Sequence, residues 1–150
     1  MLLQIIATDS NWVPTLARIV LGVIFFAHGS QKMFGWFGGH GLKQTLRTMT
    51  EFVGLPSFLA LAAVGAEFVG GVALIVGFLG RLSALAIAVN MLAAILLVHG
   101  KHGLFMNWFG DRKGHGIEYH LLAIALAIVV IAQGAGAFSL DRLLSNWIGA

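Results

Sequence analysis

The residue most able to do chemistry is a glutamate inside an apolar run. Glu67 lies about 11 residues into the segment 56–79, which carries no other charge. As a helix rising 1.5 Å per residue, that segment puts the carboxyl roughly 16 Å along its axis, close to mid-membrane for a bilayer-spanning run. An ionisable group at that depth is costly, so it must face a protein interior or pair with another group. His28 and Lys32 are the natural partners. They are four residues apart and therefore share one helix face. His28 sits roughly 9 Å from the end of the run 15–34, and Lys32 has a long stem that reaches inward. Together Glu67, His28 and Lys32 make a candidate catalytic trio for a proton relay or an anion pocket. The bland reading is a buried glutamate, protonated or hydrogen-bonded, that only ties helices together.

Other polar and small residues extend the candidate site. Gly70 and Gly71 follow Glu67 on neighbouring faces and either let two helices pack closely or leave clearance for a ligand. Asn90 and Gln133 are expected to hydrogen-bond between helices. Glu118 opens the last apolar run, where the helix dipole alone would favour an acid. His120, one turn inside, is placed to face the same pocket as His28, and Tyr119 between them reads as an interface anchor. Gly70, Gly71, Glu118 and His120 are thus the candidate ligand-binding residues. No metal site is expected, because no histidine pair has ligand spacing within one helix. Haem is disfavoured, since only His28 and His120 approach the required pair of buried ligands. The chain holds no glycine-rich phosphate loop, no nucleophile–base arrangement and no paired carboxylates.

The elements that must position these groups follow from composition. Hydrophobic residues make up 59% of the 150 residues and charged residues 10%, far below the roughly 25% charged of a soluble domain. Mean hydropathy is +0.92. Four apolar runs, 15–34, 56–79, 81–99 and 117–138, each hold about the 20 residues a helix needs to cross a hydrocarbon core. Lipid cannot satisfy a backbone, so the runs must be helical. The expectation is an all-α, integral membrane four-helix bundle forming a single domain over 1–150. Two short interfacial helices are expected, at 42–53 and 140–148, where apolar residues recur at helical spacing. The first run lacks the basic lead-in and cleavage site of a signal peptide. With no cysteine, disulfides and iron–sulfur ligation are excluded.

After run one the chain reads His28-Gly29, Lys32, Trp36-Phe37-Gly38 and His40-Gly41; after run three it reads His99-Gly100, Lys101, Trp108-Phe109-Gly110 and His115-Gly116. Two parallel helix-hairpin repeats would give this pattern; so would two aromatic interfacial loops of matched composition. All six histidines fall toward the side of these two loops, with Lys32, Lys43, Arg47, Lys101, Arg112 and Lys113. The opposite side has Arg18, Arg81 and Arg142. This asymmetry favours a cytoplasmic loop side and external termini. The net charge of +3 suits lipid headgroups rather than nucleic acid.

The runs "AHGSQKMFGWFGG", "GAEFVGGVALIVGFLGR" and "GIEYHLLAIALA" resemble the DoxX family of small bacterial four-helix membrane proteins, over roughly Arg18 to Gln133. The matching residues are His28, Gly29, Lys32 and Gly35 in the first motif, Glu67, Gly70, Gly71 and Gly77 in the second, and Glu118 and Tyr119 in the third. The family is similar to the membrane subunit of an archaeal thiosulfate:quinone oxidoreductase, and other members are associated with membrane redox-stress complexes. The resemblance therefore implies a multi-pass protein of the bacterial inner membrane, an accessory subunit of a quinone-linked redox system, with quinone as its ligand and no covalently bound cofactor. Without a thiol, a role in sulfur oxidation would need a partner subunit. The alternative is a non-catalytic membrane scaffold or a module that binds a lipid or small ligand, in a larger complex or homo-oligomer. Whether the chain is itself an enzyme stays open between these readings. A lipid-open cleft at Glu67 would favour the first, and sealed, mutually satisfied polar groups the second.

Overall fold

The computed structural model describes residues 2–111 and 113–149; Arg112, counted above toward the loop side, lies outside them. Every regular element among the described residues is helical. A short α1 (Leu2–Ile6) precedes α2 (Trp12–Phe34), α3 (Gly41–Glu51), α4 (Ser57–Val76), α5 (Gly80–Ala94), α6 (Glu118–Gln133) and α7 (Leu140–Gly149). Helix α5 runs on through a π turn, Ile95–His99, and a 3-10 turn, Gly100–His102. Three helical stretches, Trp12–Phe34, Ser57–Val76 and Gly80–His102, are long and apolar enough to cross a membrane. Helix α6 is apolar but shorter.

The four long helices close into a ring in which α2 packs on α4, α4 on α5, α5 on α6, and α6 back on α2. The core between them is small and aliphatic apart from Phe25: Ala17, Leu21, Leu74, Ala84, Ile87, Ala127 and Val130 are all buried. Large apolar side chains point outward instead, among them Leu16, Val69, Leu96 and Leu122. A soluble protein would not tolerate that surface; lipid requires it. Between α2 and α4 the backbones touch. A Cβ on Gly29 would land on the backbone of Phe68, and one on Gly71 on the backbone of Phe26. Without a hydrophobic drive between helices in lipid, such close contact is what holds them together.

The fourth run, expected to be helical over 117–138, is so only over Glu118–Gln133, about 24 Å at 1.5 Å per residue. Gly134 and Gly136 take left-handed backbone angles, φ 84° and 75°, and turn the chain into a compact segment that folds back over the bundle. Residues 134–137 are buried, and irregular backbone at that depth survives only where protein satisfies it. Arg18 does so. Its guanidinium donates to the carbonyls of Ala135 (2.7 Å), Ala137 (3.2 Å) and Phe138 (2.9 Å), and to those of Leu74 (2.8 Å) and Ile75 (2.7 Å) at the end of α4. Thr15 donates to Ala137 as well. Arg81 donates to the carbonyls of Ile131 and Ala132 at the end of α6 and to Ala7.

The tight turn expected between runs two and three is present. Gly77 ends α4 in the left-handed region and α5 begins at Gly80. The N–H groups left free at its start are met by Asp141 of α7, which accepts from Leu79 (2.7 Å) and Gly80 (2.8 Å). Burial pushes the Asp141 carboxyl up from the usual carboxylate range, against the opposing pull of these two donors and of Arg18. Ser139 caps α7, its hydroxyl accepting from the N–H of Arg142. Asn90 and Gln133 both bond between segments, Asn90 to the carbonyl of Ala63 and Gln133 to the side chain of Asn11. Tyr119 is not an interface anchor: its ring stacks on Phe25 and its hydroxyl is buried, because it points from the first turn of α6 toward α2.

Candidate functional site

A groove of about 600 Å³ opens between α4 and α5 under the end of α3. Its cause is visible in the sequence. Helix α4 presents Ala62, Ala63 and Ala66 to it and α5 presents Ala86, Ala93 and Ala94; these sit at helical spacing on facing sides, where larger residues would close the gap. Met49, Val53 and Leu55, from the end of α3 and the loop after it, roof it. Leu59, Val89 and Leu97 line it while remaining exposed on the outer surface, so the groove opens where lipid tails would lie.

The polar groups in this apolar groove are few: Lys32, Glu67, Asn90 and His99. Lys32 crosses from the last turn of α2 and its Nζ lies 2.5 Å from Glu67 Oε1. Asn90 donates to the same oxygen from α5 at 3.0 Å. Glu67 is 2% exposed, and its second oxygen, Oε2, is buried without a hydrogen-bond partner among the described residues. A buried carboxylate oxygen in that condition is costly, and a ligand that offers it an O–H or N–H would recover the loss. Lys32, with 35% of its side chain exposed, keeps N–H donors beyond the one spent on Glu67. The site therefore offers a cationic donor and an anionic acceptor side by side at the end of an apolar slot, the usual make-up of a small-molecule pocket.

The remaining sequence candidates are distributed differently. His28 shares a helix face with Lys32 but does not line the groove. It is exposed, with its ring 5.7 Å from that of Tyr119, while remaining in electrostatic range of Glu67 and Lys32. Gly71 faces α2, whereas Gly70 faces α5 with Ile87 at ordinary contact distance from where its Cβ would be; neither lines the groove. Glu118 accepts from the backbone N–H of Met106 (2.9 Å) and the indole of Trp108 (3.2 Å), holding the long loop over the start of α6. His120 is buried against His99, ring centres 4.3 Å apart. The first histidine of each repeat, His28 and His99, thus ends against the first turn of α6.

Two participants escaped the sequence reading of the site. Asn90 was expected to bond between helices but not to complete the Glu67 carboxylate; its position opposite Glu67 depends on how α4 and α5 are rotated. His99 reads as the counterpart of His28 in the weak repeat, but not as a residue of the site. No spacing rule predicts the π turn that carries it.

Ring topology, an outward apolar surface and one buried acid–base pair facing a lipid-open groove define a small helical membrane-bundle protein. Residues 13–100 match DoxX, and the chain belongs to the DoxX family. It is 31% identical over 131 residues to the inner membrane protein YqjF of Escherichia coli (strain K12), covering 87% of this chain and 91% of that one. It is 28% identical over 126 residues to a Bacillus subtilis (strain 168) protein named "Putative oxidoreductase CatD", covering 84% and 82% of the two chains. No solved structure gives a significant match.

Proposed function

We propose that this protein binds the head of a membrane quinone in the α4–α5 groove and serves as the membrane subunit of a quinone-linked redox system in the bacterial inner membrane. The observation that carries the reading is the pairing of Lys32 with a Glu67 carboxylate whose Oε2 is unspent, at the polar end of a groove open along its apolar side. A quinone carbonyl accepts from Lys32, and a quinol hydroxyl donates to Glu67 Oε2. Reduction of a quinone takes two electrons and two protons. Glu67 and Lys32 can hold and pass the protons; the electrons come from a redox cofactor on a partner subunit, since this cysteine-free chain cannot ligate an iron–sulfur cluster through thiolates. The oxidoreductase name of one relative and the inner-membrane name of another agree with this assignment.

A hydrogen bond to a charged group is worth about 1.5–3 kcal/mol, which is about tenfold to a hundredfold in affinity. Quinol binding to protein in lipid nanodiscs, measured by mass spectrometry of the retained ligand, should therefore weaken by that factor in Glu67→Gln. Wild-type protein that retains neither form would overturn the proposal. A second reading, a non-catalytic amphiphile-binding module, draws on the partial satisfaction of Glu67 by Lys32 and Asn90; retention of ordinary lipid but no quinone in the same experiment would favour it.

A further inference from the structure

We propose that His99 and His120 form a proton relay joining the Glu67–Lys32 pair to the aqueous loop side. The proposal rests on the groove being the working site, but not on quinone being what occupies it. His99 lines the same groove as Glu67 and Lys32. It stands on the π turn that ends α5, whose wider hydrogen-bonding step shifts the register of the side chains after it. Its Nδ1 lies 2.9 Å from the carbonyl of His115, an exposed loop residue. A carbonyl can only accept, so Nδ1 carries the hydrogen and Nε2 of the neutral ring is the proton acceptor. Protons therefore enter and leave this ring through Nε2, while the His115 carbonyl fixes its tautomer and orientation.

The inner end is close by. The His120 ring, 5% exposed, contacts that of His99 at 4.3 Å between centres. Two imidazolium rings at that distance repel, so the pair handles one proton at a time. Lys32 is paired with Glu67 and lines the groove together with His99. From Asn90, beside Glu67, to His99 is roughly 13 Å along the helix, a span that Lys32 and water in the groove can cover. The loop beside His99 supplies His115, whose carbonyl meets His99 Nδ1 and whose own ring accepts from the Asn107 N–H. Helix α4 supplies Glu67, α2 supplies Lys32 and, at its margin, His28, and α6 supplies Tyr119 and His120. Glu118, at the start of α6, is engaged by Met106 and Trp108, and the charged residues of α3 (Lys43, Arg47 and Glu51) are exposed.

The test is a pH jump on quinone-free protein in nanodiscs, following the infrared carboxyl band that disappears in Glu67→Gln. The relay requires protonation of Glu67 to slow by about tenfold or more in His99→Ala, and imidazole in the buffer to restore the rate. His99 is only partly buried, so that variant should fold; His120→Gln is the second probe and should slow the same step. Wild-type rates in both variants would overturn the relay. So would slowing in His99→Ala that imidazole does not reverse, or a Glu67 carboxyl that keeps one protonation state throughout the stable pH range. Quinone retention, measured separately, reports on the occupant alone, so its failure and that of the relay are distinguishable.

Discussion

At the scale of single residues, two buried charges do opposite work in this molecule. Glu67 is left incomplete, with one oxygen bonded twice and the other not at all, and such a group favours function over stability. Arg18 is complete: all three of its nitrogens donate, to five carbonyls on two segments. Its planar fork is what spans them, and a lysine's point charge cannot. Arg18→Lys should therefore lower stability nearly as much as Arg18→Met, by about 3 kcal/mol or more since several buried acceptors lose their donor. Thermal unfolding in detergent reads this directly. Rescue by lysine to near wild-type stability would show that charge alone is needed there.

Among the elements, the α2–α4 contact and the α4–α5 groove are made from the same residue types with opposite results. Glycines let α4 touch α2 backbone to backbone, while alanines on its other side leave α5 far enough away to form the groove. The adjacent pair Gly70 and Gly71 separates the two effects. A Cβ on Gly71 strikes the backbone of Phe26, whereas one on Gly70 meets the Ile87 side chain at 3.5 Å. Gly71→Ala should cost about 1–3 kcal/mol through overpacking. Gly70→Ala should be neutral or slightly stabilising, because alanine is the better helix former. Equal effects of the two substitutions on the melting temperature would contradict the observed rotation of α4.

For the whole molecule, the ring of four helices puts α1 and α7 on one face and the histidine-rich loops on the other. Arg18, Arg81 and Asp141 knit the first face, and the proposed relay opens on the second. The absence of cysteine makes this easy to examine. Single cysteines introduced at Asp9 and Asn146 should react with a membrane-impermeant maleimide from the same side of a vesicle, and one at Lys101 from the other. The excess of basic residues near the loops predicts that the side labelled at Lys101 is the cytoplasmic one. Labelling of Asp9 and Asn146 from opposite sides would mean that α6 does not cross.

Much of this was legible before any coordinates. Apolar runs of membrane length allow only helices, so the all-helical class, the places of α2, α4 and α5, the short amphipathic helices and the tight turn at Gly77–Gly80 follow from local pattern. Glu67 stood out because a lone acid in such a run has few physical excuses, and Lys32 because it shares the right side of the bundle with a stem long enough to arrive. What the pattern could not supply was rotation about each helix axis. Small residues on nearly every face of α4 and α5 leave the inward direction undetermined. Only packing decided that Asn90 faces Glu67, that Gly71 meets α2, and that His28 stays outside the groove while His99 enters it. The truncation of α6 and the burial of Arg18 were hidden for a related reason: an apolar, glycine-containing segment reads as more helix until the distant guanidinium that satisfies its carbonyls is brought beside it.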